Sequence, residues 1–149
     1  FGSRALNAMR LEKNFGSWGR EFRPVYYPNE TGLERFCAFE KAPNFIGKAA
    51  AAKVSSQNGG AYRLRNFIVE TKDADVIGDE PIFYKGEVAG WVTSGGYAHA
   101  SSVSMAMGYV RTELAEQEDG WSVELLADML SARMQKQPLF DSNGSRMRS

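Results

Sequence analysis

The chain has very few of the side chains on which disulfides and metal sites depend. Its 149 residues include one cysteine, Cys37, and one histidine, His99. A single cysteine excludes an internal disulfide and fits a reducing compartment or a plain core thiol. Because the lone histidine and the lone cysteine are far apart in sequence, an ordinary zinc-ligand set is missing and we expect no metal site.

Long apolar runs and an excess of charge of one sign are also missing. No run approaches the roughly 20 apolar residues that cross a bilayer. Eighteen basic and eighteen acidic residues cancel, which argues against a nucleic acid partner and against an anionic membrane surface. The N-terminus has neither an initiator Met nor a signal-type apolar core, and we interpret it as the interior of a longer chain.

The common catalytic motifs are absent: Gly-x-Ser-x-Gly, a glycine-rich phosphate loop that opens a helix, and His-Glu-x-x-His. A nucleophile pair of His99 and Cys37 is conceivable, since a fold can join distant residues. The alternative packs Cys37 as a small apolar residue between Phe36 and Phe39. His99 alone is either a general base or an exposed loop residue, and no carboxylate near it in sequence orients it.

The predicted secondary structure of the chain changes near its middle. With 43% hydrophobic and 24% charged residues, it is typical of a globular protein with one ordinary domain or two very small ones. The first part predicts helices and loops, and the glycine pair of Asn58-Gly59-Gly60 is the candidate boundary. The predicted elements are a helix from an N-cap at Ser3 to a stop at Gly16, a short segment around Leu33 to Phe39, and an alanine-rich helix from about Gly47.

After the boundary, short stretches rich in β-branched and aromatic residues predict a small β-barrel or sandwich. These stretches are AYRLRNFIVE, PIFYKGEVAGWVTSGG, SMAMGYVRTEL and WSVELLADMLSARM. Lys85-Gly86 predicts a tight hairpin turn, and Gly95-Gly96 predicts a reversal between two strands. In the last stretch Leu126, Met129 and Leu130 fall at helical spacing, so periodicity alone favours a helix there.

Glu12 ends the first predicted helix and allows two interpretations. A solvated glutamate beside Arg10 or Lys13 contributes little to stability. Alternatively, the carboxylate accepts two parallel hydrogen bonds from a flat heterocycle that presents a ring N–H beside an exocyclic amine. Spacing alone favours the solvated glutamate.

Five motifs, in order, resemble the glycine-cleavage T-protein (aminomethyltransferase) family, and in particular the C-terminal part of its dimethylglycine and sarcosine dehydrogenase branch. They are ALNAMRLEKNFGSWGREFRPVYYPNETGL, FIGKAA, GDEPIFYKGEVAGWVTSGGY, SMAMGYV and QKQPLFDSNGSRMR. The likeness extends from Ala5 to Arg148. It implies an α+β fold: the C-terminal portion of an α/β ferredoxin-like folate-binding domain over residues 1–58, then a small antiparallel β-barrel over 59–149. On that ground we read Trp121 to Met134 as two strands with a turn at Ala127-Asp128.

The resemblance also implies a function and site residues. Family members bind tetrahydrofolate and pass it a one-carbon unit from an aminomethyl or N-methyl donor. The glutamate of the MRLE motif, Glu12, becomes the pterin-reading carboxylate. The second folate contact, usually an arginine before the FIG turn, falls on Lys41, which keeps the charge but loses the two-pronged donor. The family usually lacks a histidine at the position of His99, so we expect no chemical role for it.

The catalytic aspartate of the family lies upstream of the MRLE helix, and FAD binds an N-terminal domain that is absent here. We therefore expect no catalytic residue and no activity of this chain alone. Its expected partners are the folate, the N-methyl amine donor and the rest of a parent chain, in the cytoplasm or, in a eukaryote, the mitochondrial matrix. The alternative is a non-catalytic folate-sensing or interaction barrel. Related tRNA-modification proteins carry a Lys-Gly-Cys-Tyr-x-Gly-Gln-Glu signature, whose cysteine NFIGKAA lacks.

Overall fold

The computed structural model describes residues 1–57 and 59–148, and its centre is a closed barrel of six antiparallel strands. The order around the barrel is β1-β4-β3-β2-β5-β6, so β1 and β6 close it. The strands are β1 Tyr62–Val69, β2 Pro81–Tyr84, β3 Glu87–Ala98, β4 Val103–Arg111, β5 Trp121–Leu125 and β6 Asp128–Met134. The predicted α+β class with an antiparallel barrel is confirmed.

The barrel encloses its own apolar core. Along β5 the buried residues alternate with half-buried ones, as a half-buried strand requires, and Trp121 and Val123 point into the core. The Phe67 ring is fully buried and meets the Trp121 ring edge-on at 5.2 Å between centroids. Every buried residue of this core lies between Phe67 and Met134, so none of the described residues before the barrel contributes to it.

Two hairpin turns have positive φ at both central positions, the type I′ geometry that suits the twist of the strands. The Lys85-Gly86 turn is confirmed, with φ of 50° and 87°. The strand interpretation of the last stretch is also confirmed, because β5 and β6 pair there. Its turn lies at Leu126-Ala127, with φ of 52° and 70°, one residue before the predicted position.

The glycine pair does not reverse the chain, and that prediction was wrong. Gly95 and Gly96 lie inside β3 and pair with β4, and the chain turns only at residues 99–102. A Cβ on Gly95 would lie 2.2 Å from the carbonyl oxygen of Val76. The glycine therefore serves the close approach of a neighbouring backbone, not a corner.

The segment before the barrel holds three helices: α1 Ser3–Glu12, α2 Pro28–Thr31 and α3 Lys48–Ser56. In α1 the N-cap is Gly2, not Ser3, and the helix ends at Glu12 instead of near Gly16. Asn14, with a φ of 55°, turns the chain away from the helix axis, which leaves Phe15 half exposed.

Other expectations for this segment have mixed outcomes. Helix α3 begins after Gly47 as predicted, and the predicted short segment contains one 3-10 turn, Glu34–Phe36. Asn58, predicted as part of the boundary, lies outside the described residues, and the boundary itself stays a prediction. Two further 3-10 turns are Thr112–Leu114 and Ser145–Met147. Among the helices described, none combines the length and hydrophobicity that a membrane span requires.

Helix α1 lies on the outside of the barrel against β3 and β4. Leu11 is fully buried there and packs in a small second cluster with Ala98, Met105 and Met107. This contact brings the end of α1, with Glu12, next to the turn between β3 and β4.

Candidate functional site

Glu12, the predicted pterin-reading residue, is 5% exposed and faces the barrel. Its Oε1 atom accepts hydrogen bonds from the backbone N–H groups of Ala100 at 2.7 Å and Ser101 at 3.2 Å. Both donors lie in the turn between β3 and β4. The interpretation as a solvated glutamate is therefore wrong, because the carboxylate fixes the end of α1 to this turn.

Lys41, the second predicted folate contact, is exposed in the connection that leads to α3. Its backbone carbonyl accepts a hydrogen bond from Lys48 Nζ at 2.9 Å. Over residues 1–57 and 59–148 no hydrogen bond or ion pair joins Lys41 to Glu12. The two predicted folate contacts thus lie on different parts of the segment.

The fit of Glu12 to folate depends on how its carboxylate could meet the edge of the pterin ring. Such an edge offers two parallel donors and is best matched by both oxygens of one carboxylate. Oε1 of Glu12 already accepts two backbone N–H bonds, and within the described part of the chain no donor is hydrogen-bonded to Oε2. A ligand would meet one oxygen instead of two unless the barrel turn gave up its contact. The folate role of Glu12 and Lys41 stays a prediction.

Glu21 is a second buried carboxylate, which sequence reasoning missed. It is 0% exposed; its Oε1 accepts from Ser94 Oγ at 2.5 Å, and its Oε2 from the Ser17 N–H at 2.7 Å and from Arg10 Nη1 at 3.1 Å. Burial by itself raises the pKa of Glu21. The hydrogen bonds from Ser94 and Ser17, with the Arg10 charge, outweigh burial and hold that pKa below its usual range.

Glu30 is a third carboxylate of the same kind, 6% exposed. Its Oε1 accepts from the N–H groups of Ala61 at 3.1 Å and Tyr62 at 3.3 Å, where β1 begins. Its Oε2 accepts from the Tyr27 N–H at 3.0 Å, ahead of α2. We call Glu12, Glu21 and Glu30 the clamp glutamates, because each joins the segment before the barrel to the barrel itself.

The clamp glutamates hold structure together and show no acid–base pairing with one another. Each accepts at least two hydrogen bonds, which fix the position of its carboxylate. Among the residues that the structure describes, no group of three or more His, Cys, Asp or Glu could hold a metal ion. The arrangement docks one region on another.

His99 and Cys37 stand apart from this network. His99 is exposed in the turn after β3, and its ring meets the Tyr97 ring edge-on at 5.1 Å. Cys37 is a free, half-buried thiol that belongs to neither apolar cluster. The prediction that it packs in a core was wrong, since the thiol is only half buried and neighbouring Phe36 is 71% exposed.

Comparison with known proteins adds what the contacts do not supply. Residues 63–141 match the family described as "Glycine cleavage T-protein C-terminal barrel domain". Over 148 residues the chain is 40% identical to the mitochondrial dimethylglycine dehydrogenase of Mus musculus, an alignment that covers 99% of this chain and 17% of that protein. It is 34% identical over 113 residues to the mitochondrial pyruvate dehydrogenase phosphatase regulatory subunit of the same species, covering 73% of this chain and 13% of that one.

A solved structure agrees on the fold. The glycine cleavage system aminomethyltransferase T from Bartonella henselae superposes with a TM-score of 0.81 at 24% identity, over 93% of this chain and 38% of that one. In each case the chain spans well under half of the longer protein. The chain belongs to the glycine cleavage T-protein family and carries that family's C-terminal barrel domain.

Proposed function

We propose that the chain is the C-terminal, folate-binding part of a protein that passes a one-carbon unit from an N-methyl amine to tetrahydrofolate, as in the dimethylglycine and sarcosine dehydrogenase branch. The observation that carries this proposal is the 40% identity to a dimethylglycine dehydrogenase along 99% of the chain. A match of that extent includes the segment before the barrel as well as the barrel.

In this proposal the chemistry belongs to other parts of a longer polypeptide. A flavin there would oxidise the N-methyl amine, and an upstream carboxylate would handle the proton. This chain contributes the barrel and the segment docked on it as one wall of the folate site, and it does not turn over alone.

The proposed domains are residues 1–58, the end of the folate-binding domain, and 59–149, the barrel. The apolar core confined to the barrel supports this boundary. The mitochondrial relatives support the mitochondrial matrix as the location in a eukaryote, with the cytoplasm as its counterpart in a prokaryote.

Calorimetric titration with tetrahydrofolate tests the proposal, using the longer polypeptide and this chain in parallel. We expect the longer protein to bind and to oxidise an N-methyl glycine, and the chain alone to show no turnover. Failure of the longer protein both to bind folate and to oxidise dimethylglycine or sarcosine would refute the proposal.

Substitution of Lys41 tests the proposed folate site directly, because this side chain is exposed and its removal should not disturb the fold. In the longer protein we expect Lys41→Ala to weaken folate binding about tenfold, the effect of one charge-assisted contact. Lys41→Arg should retain binding, and the exposed control Lys72→Ala should not change it. Equal affinities of all three variants would remove Lys41 from the site.

Glu12 needs two readouts, since its carboxylate also fixes the barrel turn. We expect Glu12→Gln to lower both the melting temperature and the folate affinity. A lower melting temperature with unchanged affinity would assign Glu12 to the clamp alone.

A non-catalytic role, as a folate-sensing or interaction barrel, is the second candidate. The relative named as a regulatory subunit favours it, because the same barrel occurs there under a regulatory name. Folate binding by the longer protein without oxidation of any N-methyl amine would select this alternative.

A further inference from the structure

A cleft separate from the clamp contacts of Glu12 and Glu21 lies between the helices α2 and α3 and the barrel strands β1 and β3. Its volume is about 490 Å³, within the range of roughly 300–1,000 Å³ that small-molecule sites occupy. Four aromatic residues line it: Tyr26, Tyr27, Tyr62 and Trp91. All four keep solvent-exposed surface. We call this cavity the aromatic cleft.

Three rings of the aromatic cleft, those of Tyr26, Tyr62 and Trp91, are held by contacts with other rings. Tyr26 stacks on the buried Tyr109 with 4.1 Å between centroids. Tyr62 meets Trp91 edge-on at 4.8 Å. Rings fixed in this way lose little further freedom when a ligand arrives, which favours binding.

Charge in the aromatic cleft has one sign. Glu30 is the charged residue among those that line it. Its oxygens already accept three backbone N–H bonds, so its hydrogen-bonding capacity is largely used. This carboxylate disfavours anions and offers little to ligands that must exchange hydrogen bonds, such as a primary ammonium or a hydrated metal ion.

The charge of Glu30 reaches the rings. Burial is the largest cause that raises the pKa of the Tyr26 phenol; Arg23 lowers that pKa and Glu30 raises it. Arg23 is exposed and does not line the cleft. It is therefore a cation that opposes a positive ligand and that can be removed without changing the cavity.

We infer that the aromatic cleft binds a methylated ammonium group, such as the trimethylammonium head of a small zwitterion or cation. A quaternary ammonium has an apolar surface, carries a full charge and donates no hydrogen bond. Aromatic faces attract such a cation through their quadrupole, and the saturated Glu30 carboxylate adds attraction at longer range. This inference does not depend on the folate proposal, since it involves neither Glu12 nor Lys41.

Titration of this chain with choline chloride tests the inference, followed through the indole N–H signals of its three tryptophans. We expect choline to shift the Trp91 signal saturably with a dissociation constant of about 1 mM. The signal of Trp18, 80% exposed, should not move. The neutral isostere 3,3-dimethylbutan-1-ol should bind roughly tenfold more weakly, because it has the shape without the charge.

Three variants sharpen the result. Tyr27→Leu should weaken choline binding about fivefold, whereas the matched control Tyr97→Leu should not; the two tyrosines are 45% and 39% exposed, so neither variant disturbs the core. Arg23→Gln should strengthen choline binding about twofold by removing the opposing charge.

Two results would overturn the inference. One is the absence of a saturable shift at Trp91 up to roughly 50 mM choline, far above the expected dissociation constant. The other is equal affinity for choline and its neutral isostere, which would make the cleft a plain apolar cavity.

Discussion

The barrel and the segment before it are held by different forces. Within the barrel strands most buried residues are apolar; one set forms the barrel core, and Ala98, Met105 and Met107 pack with Leu11 of α1 in the second cluster. In the segment over residues 1–57 most buried residues are polar or charged; they are Glu12, Glu21, Asn29, Glu30 and Thr31, against the apolar Ala8, Leu11 and Ala51. The barrel is thus stabilised by non-directional burial, and the segment by directional bonds whose strength depends on charge.

The difference extends to the surface. The exposed large apolar side chains are concentrated in the segment, where Phe1, Trp18, Phe36 and Ile46 are each more than 70% exposed. A segment with few buried apolar residues gains little from the hydrophobic effect by itself. It keeps its place through the clamp glutamates, through hydrogen bonds from Asn7 and Arg20 to backbone carbonyls of β3, and through the apolar contacts of Leu11 and Tyr26 with the barrel. Because most of these contacts are polar, we expect it to be the weaker region.

The largest loss of stability is expected from a substitution in the barrel core. Phe67→Ala removes a fully buried ring packed against Trp121 and should lower the free energy of unfolding by about 4 kcal/mol. Urea denaturation followed by circular dichroism measures this. A loss below about 1 kcal/mol would mean that the core does not dominate barrel stability.

The next effect concerns the most buried clamp glutamate. Glu21→Gln leaves Arg10 without its buried partner and should cost about 3 kcal/mol of unfolding free energy. The control Glu113→Gln removes a 65% exposed carboxylate and should change stability by less than about 0.5 kcal/mol. Equal effects of the two variants would contradict the distinction between the two regions.

The stability difference between the unmodified chain and Glu21→Gln should depend on pH. The pKa of Glu21 is lowered in the folded state from its ordinary 4.5, so its contribution to stability is present above that pH and is lost as the pH falls through the folded value. The stability difference between the unmodified chain and Glu21→Gln should therefore be constant near neutral pH and shrink below 4.5. Denaturant titrations at several pH values measure it; a difference that stays constant into strong acid would contradict the assignment.

The smallest effect is a gain in the barrel. Leu126 and Ala127 occupy a type I′ turn with positive φ, where Asn and Gly are strongly preferred. The double substitution Leu126→Asn with Ala127→Gly should raise the unfolding free energy by about 1 kcal/mol. Thermal unfolding measures the gain, and a lower melting temperature would show that the turn is less demanding than its backbone angles indicate.

The sequence predicted the barrel better than it predicted the contacts of the segment, for a physical reason. Strand alternation and turn residues are local signals, so the Lys85-Gly86 hairpin could be read directly, whereas the two strands between Trp121 and Met134 could not. Family likeness resolved the helical spacing of Leu126, Met129 and Leu130, which local periodicity had favoured as a helix.

The clamp contacts leave no such signal. The Glu12 carboxylate meets a backbone N–H 88 residues away, and Glu21 meets a hydroxyl 73 residues away. A backbone N–H group is the same whatever the residue type, so the spacing of residues in the sequence cannot reveal which one donates. The misplaced reversal at Gly95-Gly96 has the same origin, because Val76, which requires the glycine, is distant in sequence.

Native-state hydrogen exchange tests most directly whether the segment is a separately docked region on a self-sufficient barrel. We expect the amides of α1 to exchange through a partial opening of lower free energy, while those of β4 exchange only with global unfolding. Glu21→Gln should lower the first free energy more than the second. Equal opening free energies for α1 and β4, in both proteins, would show one cooperative unit and contradict the account.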